Sequence, residues 1–122
     1  EFQTFTVQLQ GLGVFKNIRK PRVLWAGMYH YQPMQKLKQA VDQEMTALGF
    51  EPDKREFVPH LTLARIKWIE ERDKLQRLVE AHQQTQWQSV EIQEVVYFES
   101  QLTQKGPIYT PLGRYALTRS GQ

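Results

Sequence analysis

Pro59-His60-Leu61-Thr62-Leu63-Ala64-Arg65 reads as a loop turning into a strand. Pro59 biases Val58 toward extended geometry. Side chains alternate along a strand, so Leu61 and Leu63 fall on one face and His60 and Thr62 on the other. An imidazole and a hydroxyl two residues apart can address one small group. Imidazole takes or gives a proton near neutral pH, and a hydroxyl donates to an anionic oxygen. Arg65 adds a planar fork suited to phosphate. Its parity, however, is that of Leu61 and Leu63, so an ideal strand points it away from His60. Only a twist or a bulge near the strand's end brings it back.

The rest of the chain frames that strand. Thr4 to Gln10 alternates as a half-buried strand, with Phe5, Val7 and Leu9 on its apolar side, and Gly11 and Gly13 are expected to break it. Lys16, Arg19, Lys20 and Arg22 follow in a polar loop that is either solvated surface or an RNA-backbone contact. Val23 to Met28 is apolar throughout and predicts a strand buried on both faces. There Trp25 reads as core rather than as a base-stacking platform.

Pro33 suits a first helical turn. Met34, Leu37, Val41, Met45 and Leu48 form a helical stripe assigned to the core, and Gly49 stops it. His30, at the preceding turn, reads as an exposed loop histidine. A second helix opens at Trp68 or Ile69 and carries Leu75, Leu78, Val79 and His82; His82 reads as a capping or partly buried structural residue near the helix C-terminus. Val90 to Phe98 is a strand, Gln104 to Pro111 a loop, and Tyr115 to Thr118 a short final strand whose partner is expected in a segment not present. The order β, β, α, β, α, β, β predicts an α+β fold with mainly antiparallel sheets and two helices.

The 122 residues fit one domain, 1–122. There are no cysteines, which excludes disulfides and thiolate metal sites; a reducing, cytoplasmic setting is the corresponding expectation. No apolar run reaches the ~20 residues that span a bilayer, so no membrane partner is expected. A net charge of +3 favours a phosphate-bearing partner only mildly. No acidic or histidine cluster has metal spacing, and no metal or cofactor is expected.

His60-Leu61-Thr62-Leu63 resembles the His-x-Thr-x motif of the two-histidine (2H) phosphoesterases. Four further pieces narrow this to the RNA 2′,3′-cyclic phosphodiesterase branch, also called the 2′-5′ RNA ligase family. They are Gly13-Val14-Phe15 leading into Arg22-Val23-Leu24-Trp25-Ala26-Gly27, then Leu48-Gly49-Phe50-Glu51-Pro52, Phe98-Glu99-Ser100, and Tyr109-Thr110-Pro111-Leu112. They stand in the family's order and span nearly the whole chain. Members carry two such motifs, whereas this chain has one, so the resemblance makes it the C-terminal two thirds of a bilobal fold. A preceding segment or a second chain would then complete the site; a fragment is the favoured expectation over a natural short form.

The resemblance implies metal-independent hydrolysis of RNA 2′,3′-cyclic phosphate ends to 2′-phosphomonoesters. His60 would be one of two catalytic imidazoles and Thr62 would hold a phosphate oxygen. Arg65 would bind phosphate, and Tyr109 would help wall the terminal nucleotide. The chain alone is expected to be weakly active or inactive. A non-catalytic RNA-binding or scaffold module is the alternative, and 2′-5′ RNA end joining a weaker one.

Overall fold

The computed structural model describes residues 2–119. They fall into two compact units: Thr6–Val90, and a smaller unit built from the residues on either side of it. Six strands and two helices follow in the order β1 (Phe5–Lys16), β2 (Pro21–Tyr29), α1 (Gln32–Ala47), β3 (His60–Arg65), α2 (Arg72–Ala81), β4 (Gln86–Ile92), β5 (Glu94–Thr103) and β6 (Gly106–Ala116). The α+β class, the two helices and the mainly antiparallel pairing agree with the sequence reading. The strand count and several boundaries do not.

The larger unit carries a four-stranded sheet in the order β3-β2-β1-β4. β1 does not stop at its glycines. Gly11 (φ 76°) is the extra residue of a bulge between Gln10 and Leu12 in the ladder with β2. A β-carbon there would lie 2.8 Å from the Gln83 carbonyl oxygen, so glycine serves both the turn of the backbone and a close approach. At Gly13 a β-carbon would meet the Trp25 ring at 2.3 Å. Both glycines therefore keep the strand in its sheet. Lys16 consequently ends β1 and Arg22 lies within β2, which leaves Arg19 and Lys20 of the expected basic loop in the turn itself.

β2 is less enclosed than its composition suggests. Ala26 and Pro21 are buried, whereas Val23, Leu24 and Trp25 are half-buried. The core of the described residues consists of Val7, Leu9, Leu12, Ala26 and Leu75. The helix α1 has Pro33 in its first turn and ends before Gly49 (φ 99°), where the Phe50 amide donates to the Met45 carbonyl. Its apolar stripe is not core: Met34, Leu37 and Met45 are half-buried, and Val41 and Leu48 are exposed. Helix α2 starts at Arg72, later than expected, and leaves Trp68 exposed. No helix among the described residues is long and apolar enough to cross a membrane.

The expected single strand at Val90–Phe98 is the end of β4 and the start of β5, separated at Gln93. The expected loop at Gln104–Pro111 is mostly β6, paired in antiparallel fashion with β5. Its prolines mislead because β6 has one strand neighbour, and a proline that lacks a donor is tolerated on such an edge. Gly106 (φ 113°) makes the turn, where the Thr103 hydroxyl donates to the Gly106 carbonyl at 2.6 Å. Leu112 is the unpaired residue between Tyr97↔Gly113 and Phe98↔Pro111. The expected terminal strand is thus the end of β6, partnered by β5 within the chain; beyond it Thr118 forms an isolated parallel bridge with Gln3.

Candidate functional site

Directly opposed residues in an antiparallel ladder share a face, so the register locates each candidate. β2 pairs with β3 as Gly27↔His60, Ala26↔Leu61, Trp25↔Thr62, Leu24↔Ala64 and Val23↔Arg65. Leu63 is passed over, which is a bulge. Val23, Trp25 and Gly27 alternate onto one face of β2, and their partners are Arg65, Thr62 and His60. The bulge thus restores Arg65 to the face of the imidazole and the hydroxyl, against the parity of an ideal strand.

The same construction extends across β1. Gln10↔Gly27, Gly13↔Trp25 and Phe15↔Val23 place Gln10, Gly13 and Phe15 on that face, on both sides of the Gly11 bulge. The opposite face carries Leu9, Ala26 and Leu61, which with Leu63 and Trp87 border one apolar groove. One side of the sheet is therefore apolar. The other joins polar groups to two aromatic rings.

His60 is seated by those rings. Its centroid lies 4.8 Å from Phe15, edge to face, and 5.9 Å from Trp25, and Phe15 and Trp25 are 5.1 Å apart. Its Nδ1 is 2.7 Å from the Val58 carbonyl oxygen. A carbonyl only accepts, so Nδ1 carries the proton in this contact and Nε2 is left as the atom that exchanges a proton with a ligand. His60, Thr62 and Arg65 are all exposed, so a ligand can reach them.

The Trp25 Nε1 is buried without a hydrogen-bond partner. Trp25 packs, as expected, but beside His60 rather than in the central core. Gln10, Phe15 and the Val58 carbonyl went unrecognised in the sequence. Gln10 was visible there only as the polar side of a strand, and Phe15 only as part of a family segment. A cavity of about 250 Å³ adjoins the site. It is lined by Gln10, Trp25, Gly27, Tyr31 and Phe57 together with Val58, the residue that holds the imidazole.

The other candidates are dispersed. Lys16, Arg19 and Lys20 are exposed at one end of the sheet. Tyr109 lies in the smaller unit, on β6, with its ring 6.0 Å from that of Phe98. His82 caps α2, with its Nδ1 3.0 Å from the Thr85 hydroxyl and its ring 5.2 Å from Trp87. His30 is exposed at φ 62°. On the loop before β3, the Arg55 side chain and amide bind the Asp53 carboxylate, which stays ionised down to about 2.

Comparison with known proteins bears on the family and the fold. The family model described as LigT like Phosphoesterase matches residues 31–109. The chain is 37% identical over 116 residues to an RNA 2′,3′-cyclic phosphodiesterase of Methanothermobacter thermautotrophicus, covering 95% of this chain and 62% of that protein. It is 35% identical over 122 residues to the protein of that name from Aeropyrum pernix, covering 99% and 69%. Among solved structures it resembles TT0787 of Thermus thermophilus, with a TM-score of 0.76 and 25% identity over 98% of this chain and 63% of that one. It also resembles E. coli LigT complexed with 3′-AMP, with a TM-score of 0.67 and 25% identity over 97% and 62%. The chain thus spans about three fifths of the length of most of these relatives.

Proposed function

The chain belongs to the LigT-like phosphoesterase family, and from that premise we propose that it supplies one half of the acid–base machinery of an RNA 2′,3′-cyclic phosphodiesterase. The observation that carries the reading is the imidazole of His60, turned by Val58 so that Nε2 exchanges the proton, on the same sheet face as Thr62 and Arg65. Water attacks the cyclic phosphorus, the bond from phosphorus to the 3′ oxygen breaks, and that oxygen takes a proton, leaving a 2′-phosphomonoester. His60 serves either as the base toward water or as the acid toward the 3′ oxygen, and a second imidazole beyond these residues takes the other part. Thr62 donates to a non-bridging oxygen and Arg65 offsets its charge. The names of the curated relatives support this substrate class.

The test is turnover of a 2′,3′-cyclic nucleotide by the native protein. His60→Ala is expected to slow it by about 10²–10⁴-fold, the usual worth of one proton-transfer group. Far-UV circular dichroism should stay unchanged, because His60 is exposed. Turnover indifferent to that substitution defeats the reading.

The second reading is a module that binds RNA without cleaving it. Such a module keeps its RNA affinity in His60→Ala and turns over no cyclic phosphate.

A further inference from the structure

None of the chain's 13 acidic residues lies within residues 2–41 or 57–69. Strands β1, β2 and β3 therefore contain no carboxylate, and the charges at their turn end are all cationic. Lys16, Arg19, Lys20, Arg22, Arg65 and Lys67 are exposed there.

The backbone draws them together. Lys16 pairs with Pro21 and Arg65 with Val23, and the Ile66 amide donates to the Arg22 carbonyl at 2.8 Å. The turn is pre-set, because the Asn17 side-chain oxygen accepts from the Arg19 and Lys20 amides at 3.0 Å each. Arg72 ties α2 to it by donating from Nη1 to the Arg19 carbonyl at 2.7 Å. Three carboxylates stand near that helix start, on Glu70, Glu71 and Asp73, and Glu71 is paired with Lys74 at 2.8 Å.

We propose that this end of the sheet is a track for the RNA strand leading away from the terminal phosphate, so that affinity grows with the length of single-stranded RNA. The proposal rests on the reading of His60 as the site of the terminal phosphate and extends it to the nucleotides behind. Lys and Arg side chains facing successive phosphates supply affinity without sequence preference and release counterions as they bind. A mononucleotide reaches none of them beyond Arg65.

The experiment measures dissociation constants for single-stranded RNAs of two and of eight nucleotides, each ending in a 2′-phosphate, at several salt concentrations. The longer RNA is expected to bind at least about 10-fold more tightly. Replacing Lys20→Gln, Arg22→Gln and Lys67→Gln together should abolish that advantage and flatten the slope of log affinity against log salt by about 2, near 0.7 for each phosphate no longer neutralised. Lys20→Arg with Lys67→Arg should preserve both. Equal affinity for the two lengths, or a salt slope untouched by the triple replacement, overturns the proposal. His60→Ala separates the two readings: with the chemistry removed, the length dependence should persist.

Discussion

The Nδ1 of His60 sits 2.7 Å from the carbonyl oxygen of Val58, a contact between residues two apart across Pro59. The partner is backbone, so no substitution at Val58 removes it. The neutral ring is expected to be the Nδ1–H tautomer, with Nε2 unprotonated. Imidazole ¹⁵N shifts read this directly, and a neutral ring protonated at Nε2 contradicts the geometry.

Arg65 opposite Val23 is testable by crosslinking, because the chain has no cysteine of its own. Directly opposed β-carbons lie ~4.5–5.5 Å apart, close enough for a disulfide after small adjustment. Val23→Cys with Arg65→Cys should oxidise readily, whereas Arg22→Cys with Arg65→Cys, the pair an unbulged ladder would oppose, should not. The reverse pattern, scored by non-reducing mass analysis, would mean that β3 runs without its bulge.

Gly13 and Trp25 should be strongly coupled. A β-carbon on residue 13 would overlap the indole at 2.3 Å, so Gly13→Ala is expected to cost about 1–3 kcal/mol by overpacking. Trp25→Phe removes the ring atoms concerned. In that background Gly13→Ala should be much milder, with a coupling of about 1 kcal/mol or more in a urea-unfolding cycle. Additive losses would show that the two do not touch.

Asp53 should titrate far below an ordinary aspartate. The Arg55 side chain donates two hydrogen bonds to its carboxylate and the Arg55 amide adds a third, which lowers the pKa to about 2. A depressed carboxyl pKa contributes stability above the unfolded pKa and loses it as pH falls through the folded one. That window runs from the usual aspartate range down to about pH 2, and full exposure of the pair makes the contribution sensitive to salt. Carboxyl ¹³C titration should place the midpoint near pH 2 in the parent, and Arg55→Gln should move it upward.

Burial should separate two leucines of the same chemistry. Leu9→Ala in the core, at 7% exposure, is expected to cost about 2–5 kcal/mol. Leu102→Ala, at 85% exposure, should change stability by less than about 0.5 kcal/mol. Chemical denaturation distinguishes them, and equal losses would displace Leu9 from the core.

Part of the candidate site was legible in a few adjacent residues. His60 and Thr62 share a face because alternation along a strand is a property of the local backbone. Pro33 and Gly49 bounded α1 for the same kind of reason, since a fixed φ and a positive φ act within one residue. Family membership was legible too, in short segments kept in order along the chain. His82 was readable as a cap from its place at the end of an apolar stripe.

Tertiary structure decided the rest. A glycine signals a break and a bulge alike, and the proximity of the Gln83 carbonyl and of the Trp25 ring made Gly11 and Gly13 parts of a continuous β1. Prolines signal loops, yet β6 tolerates Pro107 and Pro111 because that strand is paired on one side only. The parity of Arg65 depended on whether Leu63 found a partner on β2, which no counting along β3 can reveal. Phe15 and Trp25 lie ten residues apart in sequence and meet around His60 only because three strands are held in register. By itself the sequence determined which residues could carry chemistry, since that is written in side-chain type and local backbone preference. Only the tertiary structure decided which of them share a face, because a face is a property of paired strands.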